Sequence, residues 1–293
     1  GHSCSYGERL GHRASNEGLL GATGGDFVAP RAVFFSPSQG DTGVAQGCTF
    51  VIEFDESIRP GAGNVVLRGP GGGIVEVWEQ GSSRLSVTGK ALLIDPARTL
   101  DVFTRYSIDI GAGAVEDASG NRFEGVSYGF QTRGPESLYH FFLVAFDAAP
   151  GVEYMEQMAL AYNQGADVRQ IVNVFTTKPQ FTSVYPAWLS NEQLADKLVA
   201  SIVGSSASTA ARTQAVRDID EALDKGWSRG DVVYQVFGNL AAKPLTDVTW
   251  GNTARQLQNQ AAVARYVTEE MQYQSTDLGL LRAVVSGVDY LSD

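Results

Sequence analysis

Glycine is the residue that most constrains this chain. Residues 1–134 hold 24 of its 33 glycines, and residues 135–293 hold the other nine. Glycine weakens helices and serves turns, so its uneven use separates two kinds of structure. The first stretch is expected to be all-β and the second all-α. Gly134-Pro135 is the expected joint, because the residue before a proline is pushed out of the helical region. The expected layout is multidomain: an extended leader over 1–29, a β-sandwich over 30–134 and a helical domain over 135–293.

The chain has 293 residues, enough for two domains with a core each. Its 43% hydrophobic and 19% charged content is that of a globular protein. The net charge is −11, and both halves are acidic. That argues against nucleic acid and anionic membrane as partners, since both need a basic face. It suits cations and neutral or cationic polymers. Two Cys and three His leave little for a zinc site, an iron–sulfur cluster or a His-rich catalytic centre. The densest apolar run, Phe141-Phe142-Leu143-Val144-Ala145-Phe146, is far too short to span a membrane. The chain opens without Met or a signal peptide, and so reads as processed or excised.

Residues 1–29 carry Gly and Ser without a sustained period. They read as a flexible leader, or as an arm that adds a strand to a neighbouring subunit. Cys4 and Cys48 are the only cysteines. In an exported protein they either bridge, pinning the leader to the β domain, or stay as two thiols.

Strand signals recur through the first domain: Ala32–Phe35, Phe50–Phe54, Asn64–Arg68, Ile74–Trp78, Arg84–Val87, Ala91–Ile94, Arg105–Ile110 and Ser127–Thr132. About eight short strands with frequent turns indicate a sandwich. Gly125-Val126-Ser127-Tyr128-Gly129 matches the G-x-S-x-G of serine hydrolases. That motif needs a strand-to-helix elbow and a His, whereas here it leads into a strand. Glu116, Asp117 and Asn121, with Asp55-Glu56 as neighbours in type, offer oxygen ligands for a hard cation such as Ca²⁺. The simpler alternative is a turn in which Asp117 and Asn121 bond their own backbone.

Phe35-Ser36-Pro37 with Gly40-Asp41-Thr42-Gly43-Val44, then Ile52–Glu56, resembles the bacterial Ig-like domain of surface-layer and adhesin proteins. Leu93-Ile94-Asp95-Pro96, Tyr106–Ile110, Ala114–Asn121 and the closing Phe130-Gln131-Thr132 extend the resemblance over about 100 residues. It implies an Ig-like sandwich that acts as a spacer and packing unit of exported proteins, with no catalytic residues.

After Gly134 the period shifts to that of helices. Leu138, Phe141, Phe142 and Ala145 fit one helix face; Met155, Met158 and Leu160 a second; Ile171, Val174 and Phe175 a third. Ser190–Gln193 and Ser228–Asp231 read as capping boxes. Trp250–Tyr273 is a long helical pattern and Gly279–Leu291 a short one. Asp167-Val168 … Lys178-Pro179 and Asp231-Val232 … Lys243-Pro244 suggest a weak internal repeat. Val172–Phe181, Tyr185, Leu189–Leu194 and Trp227–Val233 resemble a repeated helical domain of large secreted bacterial proteins. That domain type is similar to the region that holds Gram-negative surface layers on lipopolysaccharide. The departures at Phe146–Pro150 and Gly204–Ser206 weaken any ion or ligand site carried by those turns. Arg229-Gly230-Asp231 invites an integrin reading, which the helix cap already explains.

The expected function is a structural, non-enzymatic protein of an extracellular bacterial assembly at the cell surface. It would contact identical subunits in a lattice, sheath or filament, and surface polysaccharide such as lipopolysaccharide. The alternative is an adhesin or glycan-binding anchor using Trp78, Trp188, Trp227 and Trp250.

Overall fold

The computed structural model describes Cys4 and residues 25–293. The leader read over 1–29, with its strand-donating arm, lies outside the described residues apart from Cys4 and 25–29. The chain separates into two units, Gly1–Arg133 and Gly134–Asp293.

The described residues of the first unit run through ten strands: β1 Ala32–Ser36, β2 Phe50–Phe54, β3 Arg59–Pro60, β4 Val65–Arg68, β5 Ile74–Trp78, β6 Leu85–Thr88, β7 Ala91–Ile94, β8 Arg105–Ile110, β9 Val115–Glu116 and β10 Val126–Gln131. They form two four-stranded sheets, ordered β1-β2-β7-β6 and β10-β8-β4-β5, and a small β3-β9 pair. All pairings between these strands are antiparallel. Alternation sets the inner face: Phe50, Ile52 and Phe54 of β2 are buried while Glu53 stays outside. From the other sheet Leu67, Ile108 and Phe130 join the same core. Phe50 meets Phe130 edge to face with ring centres 5.4 Å apart. Cys4 and Cys48, both buried, are joined by a disulfide with a Cα separation of 4.9 Å.

The second unit contains α1 Glu136–Phe146, α2 Gly151–Asn163, α3 Val168–Phe175, α4 Pro179–Thr182, α5 Asn191–Val203, α6 Thr209–Asp224, α7 Arg229–Ala242, α8 Gly251–Arg265 and α9 Leu278–Val285. Helix α1 buries more than the single face its sequence suggests. From Leu138 to Phe146 every residue except His140 is buried, because α1 packs against α3, α4, α5, α7 and α8. A helix apolar all round belongs at the centre. On α2, Met155 and Met158 are buried but Leu160 is 60% exposed. On α3, Val172 takes the inward place expected of Val174.

The caps follow local chemistry. Asp167 with Gln170 and Ser190 with Gln193 form reciprocal capping boxes. Ser228 accepts from the Asp231 backbone N–H, but the Asp231 carboxylate turns to Arg169 and Asn173 instead of closing a box. The long helical pattern expected to reach Tyr273 stops being α-helical at Arg265 and continues as a π turn, Tyr266–Glu270. In that widened turn Glu269 faces inward and is buried.

Candidate functional site

Of the residues read as a cation site, Glu116 ends β9 and Asp117 and Asn121 lie on the turn after it. Asp117 is buried, and its two oxygens accept from the Asn121 backbone N–H at 2.8 Å and the Asn121 amide at 2.7 Å. Burial acts to raise the Asp117 pKa, but hydrogen bonds from Asn121 and from the Ser119 and Gly120 backbone outweigh it, and the net shift is downward. Glu116 does not join them. Its carboxylate accepts from Arg59 Nε at 2.9 Å, across the β3-β9 pair. Asp55 is likewise engaged, by the Arg31 backbone N–H at 2.9 Å and by Arg31 Nε at 3.3 Å.

The fold instead brings Asp26 and Glu56 to Asp117. One carboxylate oxygen from each lies within 4.8 Å of the others. The Asn121 amide ties the group together by donating to the Asp26 carbonyl at 3.0 Å. Glu56 registers the crowding: desolvation, then repulsion by Asp117, Asp26 and Asp55, push its pKa up. Three oxygens so placed match what a hard cation takes, and the same geometry also serves as a closed turn. Asp26 precedes Asp117 by 91 residues, so no local spacing in the sequence could reveal the pair.

The G-x-S-x-G segment has a structural explanation. Ser127 Oγ hydrogen-bonds Asp109 on the neighbouring β8 at 2.5 Å. Gly125 has φ +94°, and a Cβ there would stand 3.0 Å from the Ile110 carbonyl oxygen. Its glycine serves a close strand approach, with no helix following it.

The sheet edges are the other notable surface. Among the described residues β1 is an edge strand, and Val33 and Phe34 on it are 62% and 46% exposed. Phe27 and Val28 just before it are also exposed. Among the described residues β5 is an edge of the other sheet, with Ile74 and Val77 exposed. Edge strands keep a row of backbone donors and acceptors free for another chain.

In the second unit, Arg229-Gly230-Asp231 is an internal joint. Arg229 donates to the Tyr185 and Pro186 carbonyls at 2.8 and 3.1 Å. A Cβ on Gly230 would sit 2.4 Å from Asn173 Oδ1. Asp231 receives both Arg169 Nε at 2.9 Å and Arg169 Nη2 at 2.8 Å, which with Asn173 holds its pKa well down. Of the four tryptophans, Trp78 is not available to a ligand. It is buried, and its indole donates to the Asp95 carbonyl at 3.2 Å. Trp188 and Trp227 are exposed.

Residues 26–132 match the bacterial Ig-like domain family. That stretch is a bacterial Ig-like domain. The Ig-like domain therefore contains both the carboxylate cluster and the open edges. Such domains are typical of extracellular and surface proteins. Among solved structures, CopC from Methylosinus trichosporium OB3b is similar at 20% identity and a TM-score of 0.29, over 36% of this chain and 93% of that one. No curated protein matches the chain. Among the described residues, no helix is long and apolar enough to cross a membrane.

Proposed function

We propose that this chain is a non-enzymatic structural protein of an extracellular bacterial assembly, which pairs with identical subunits through an edge of its Ig-like domain. The apolar edge that β1 forms among the described residues carries this reading. Val33 and Phe34 are exposed there, and no Lys, Glu or Asp lies on the strand to deter pairing. The β5 edge, with Ile74 and Val77, offers a second and different surface on the same domain. Two unlike edges suit a heterologous contact, which propagates into rings or filaments. Calcium belongs to this reading through Asp26, Glu56 and Asp117, where a divalent cation would relieve the repulsion among the carboxylates.

A second reading, an anchor on surface polysaccharide such as lipopolysaccharide, is favoured by Trp188 and Trp227, 78% and 43% exposed. Aromatic faces of this kind stack on sugar rings. Negative-stain microscopy in calcium and in chelator separates the two. Ordered arrays or filaments support subunit assembly, and their loss in chelator places calcium in it. Dispersed particles in both conditions count against assembly and leave the glycan reading.

A further inference from the structure

The helical unit holds a cleft that its own packing leaves unfilled. It has a volume of about 320 Å³ and lies between α5, α6, α7 and the turn before α8. Its walls are mainly aliphatic: Ile202 from α5, Ala211, Ala215 and Ile219 from α6, Val236 and Leu240 from α7. Trp250 forms part of the lining at the α8 end. Helix α6 explains the gap. Only Ile219 and Leu223 of its 16 residues are buried, and two of the side chains facing the cleft are alanines.

The polar lining is sparse and balanced. Asp218 brings one negative charge and Lys243 one positive charge. Gln214 donates to Asp218 Oδ1 at 2.8 Å, and Asn239 accepts from Gln235 at 2.7 Å. Among the described residues, neither the Lys243 ammonium nor the Trp250 indole N–H has a hydrogen-bond partner. Thr249 also lines a second, polar cleft of about 490 Å³, which includes Ser205, Ser208, Asp247 and Asn252.

We propose that this cleft binds a neutral single-chain amphiphile, with its alkyl tail against the aliphatic walls and a hydroxylated head at the Asp218–Lys243 rim. The apolar walls call for an apolar guest. The volume admits a chain but not a partner helix, whose diameter with side chains is about 10–12 Å. An anionic head would meet Asp218 and a cationic head Lys243. Hydroxyls donate to the one and accept from the other, and the polar cleft beyond Thr249 gives them further partners. This inference is independent of strand-edge pairing, since it involves the helical unit alone.

The test is calorimetric titration of the full chain with octyl glucoside below its micelle-forming concentration, with glucose and octanoate as separate arms. Saturable one-to-one binding of octyl glucoside is expected, with octanoate and glucose each at least ~10-fold weaker. Ala215→Phe and, separately, Ala211→Phe fill the cleft and should each weaken binding at least ~10-fold while keeping the native far-UV spectrum. Lys243→Gln should widen the preference over octanoate, because it removes the positive charge that offsets Asp218 and leaves the repulsion of an anion unopposed. The proposal is overturned by any of four results: no saturable binding, undiminished binding in a folded Phe variant, octanoate binding tighter than octyl glucoside, or glucose binding equally well. A cleft-dependent dimer that excludes the amphiphile would also overturn it, by showing that a second copy is the occupant.

Discussion

Tyr139 on α1 donates its hydroxyl hydrogen to the buried carboxylate of Glu269 at 2.5 Å. The same carboxylate takes Arg265 Nη1 at 2.9 Å and the Gly134 backbone N–H at 3.3 Å. Burial and the neighbouring Glu269 charge hold the Tyr139 pKa well up, so the phenol stays a donor. Arg265 also bonds the Gly134 carbonyl and the Glu136 carboxylate. The first turn of the helical unit is thus locked to its last long helix.

Glu269→Ala should be among the most damaging single changes in this unit. It leaves Arg265 and Tyr139 without their buried partner, a loss of about 3–5 kcal/mol in comparable cases. Urea denaturation followed at the helical far-UV signal measures it. A change below about 1 kcal/mol would mean the cluster is solvated.

Glu136 predicts an acid limb. Hydrogen bonding from His140, then from Arg265, holds its pKa down to about 2 against burial. A carboxyl whose folded pKa is depressed stabilises above its unfolded value near 4.5, and loses that contribution as the pH falls toward 2. Glu136→Gln should therefore be less stable than the parent at pH 6. The two should converge by about pH 2. Thermal melts across that range test the convergence, and a constant gap would refute it.

The disulfide closes a loop with a sequence separation of 44. The chain-entropy relation gives about 4 kcal/mol for such a loop, and measured values commonly fall between about 2 and 4. Cys48→Ser should lower the stability of the Ig-like domain by that order, with the helical unit unaffected. Separate denaturation transitions of the two units would show it.

Glu56 carries the opposite sign from Glu136. Its raised pKa means that the charged form opposes folding, so this cost grows as the pH rises through the folded pKa. In chelator, Glu56→Gln should melt higher than the parent at neutral pH. In millimolar calcium the parent should gain and the variant gain less. Equal gains would remove Glu56 from any cation site.

Much of the fold is legible in the residues. β2 and β8 declare themselves by alternation, and α3 and α5 by Asp167 and Ser190 with Gln three positions on. What escapes is non-local or short. β3 and β9 are two residues each, below any detectable period. Asp26 and Glu56 join Asp117 only through the tertiary fold, and Glu116, adjacent in sequence, is drawn off by Arg59. Alternation about Glu76 leaves Trp78 ambiguous until the β4-β5 register turns it into the core. The cleft of α5–α7 is invisible in sequence, because small residues such as Ala211 and Ala215 look the same whether a neighbour or a ligand covers them.

Sedimentation velocity over a wide concentration range, for the parent and for Phe34→Lys, tests edge pairing most directly. Phe34 is 46% exposed on the β1 edge, so the charge should leave the fold intact and block the approach of a second strand. The parent should sediment faster as concentration rises, and Phe34→Lys should remain a monomer. A parent that stays monomeric throughout, or a lysine variant that associates equally well, would contradict the account.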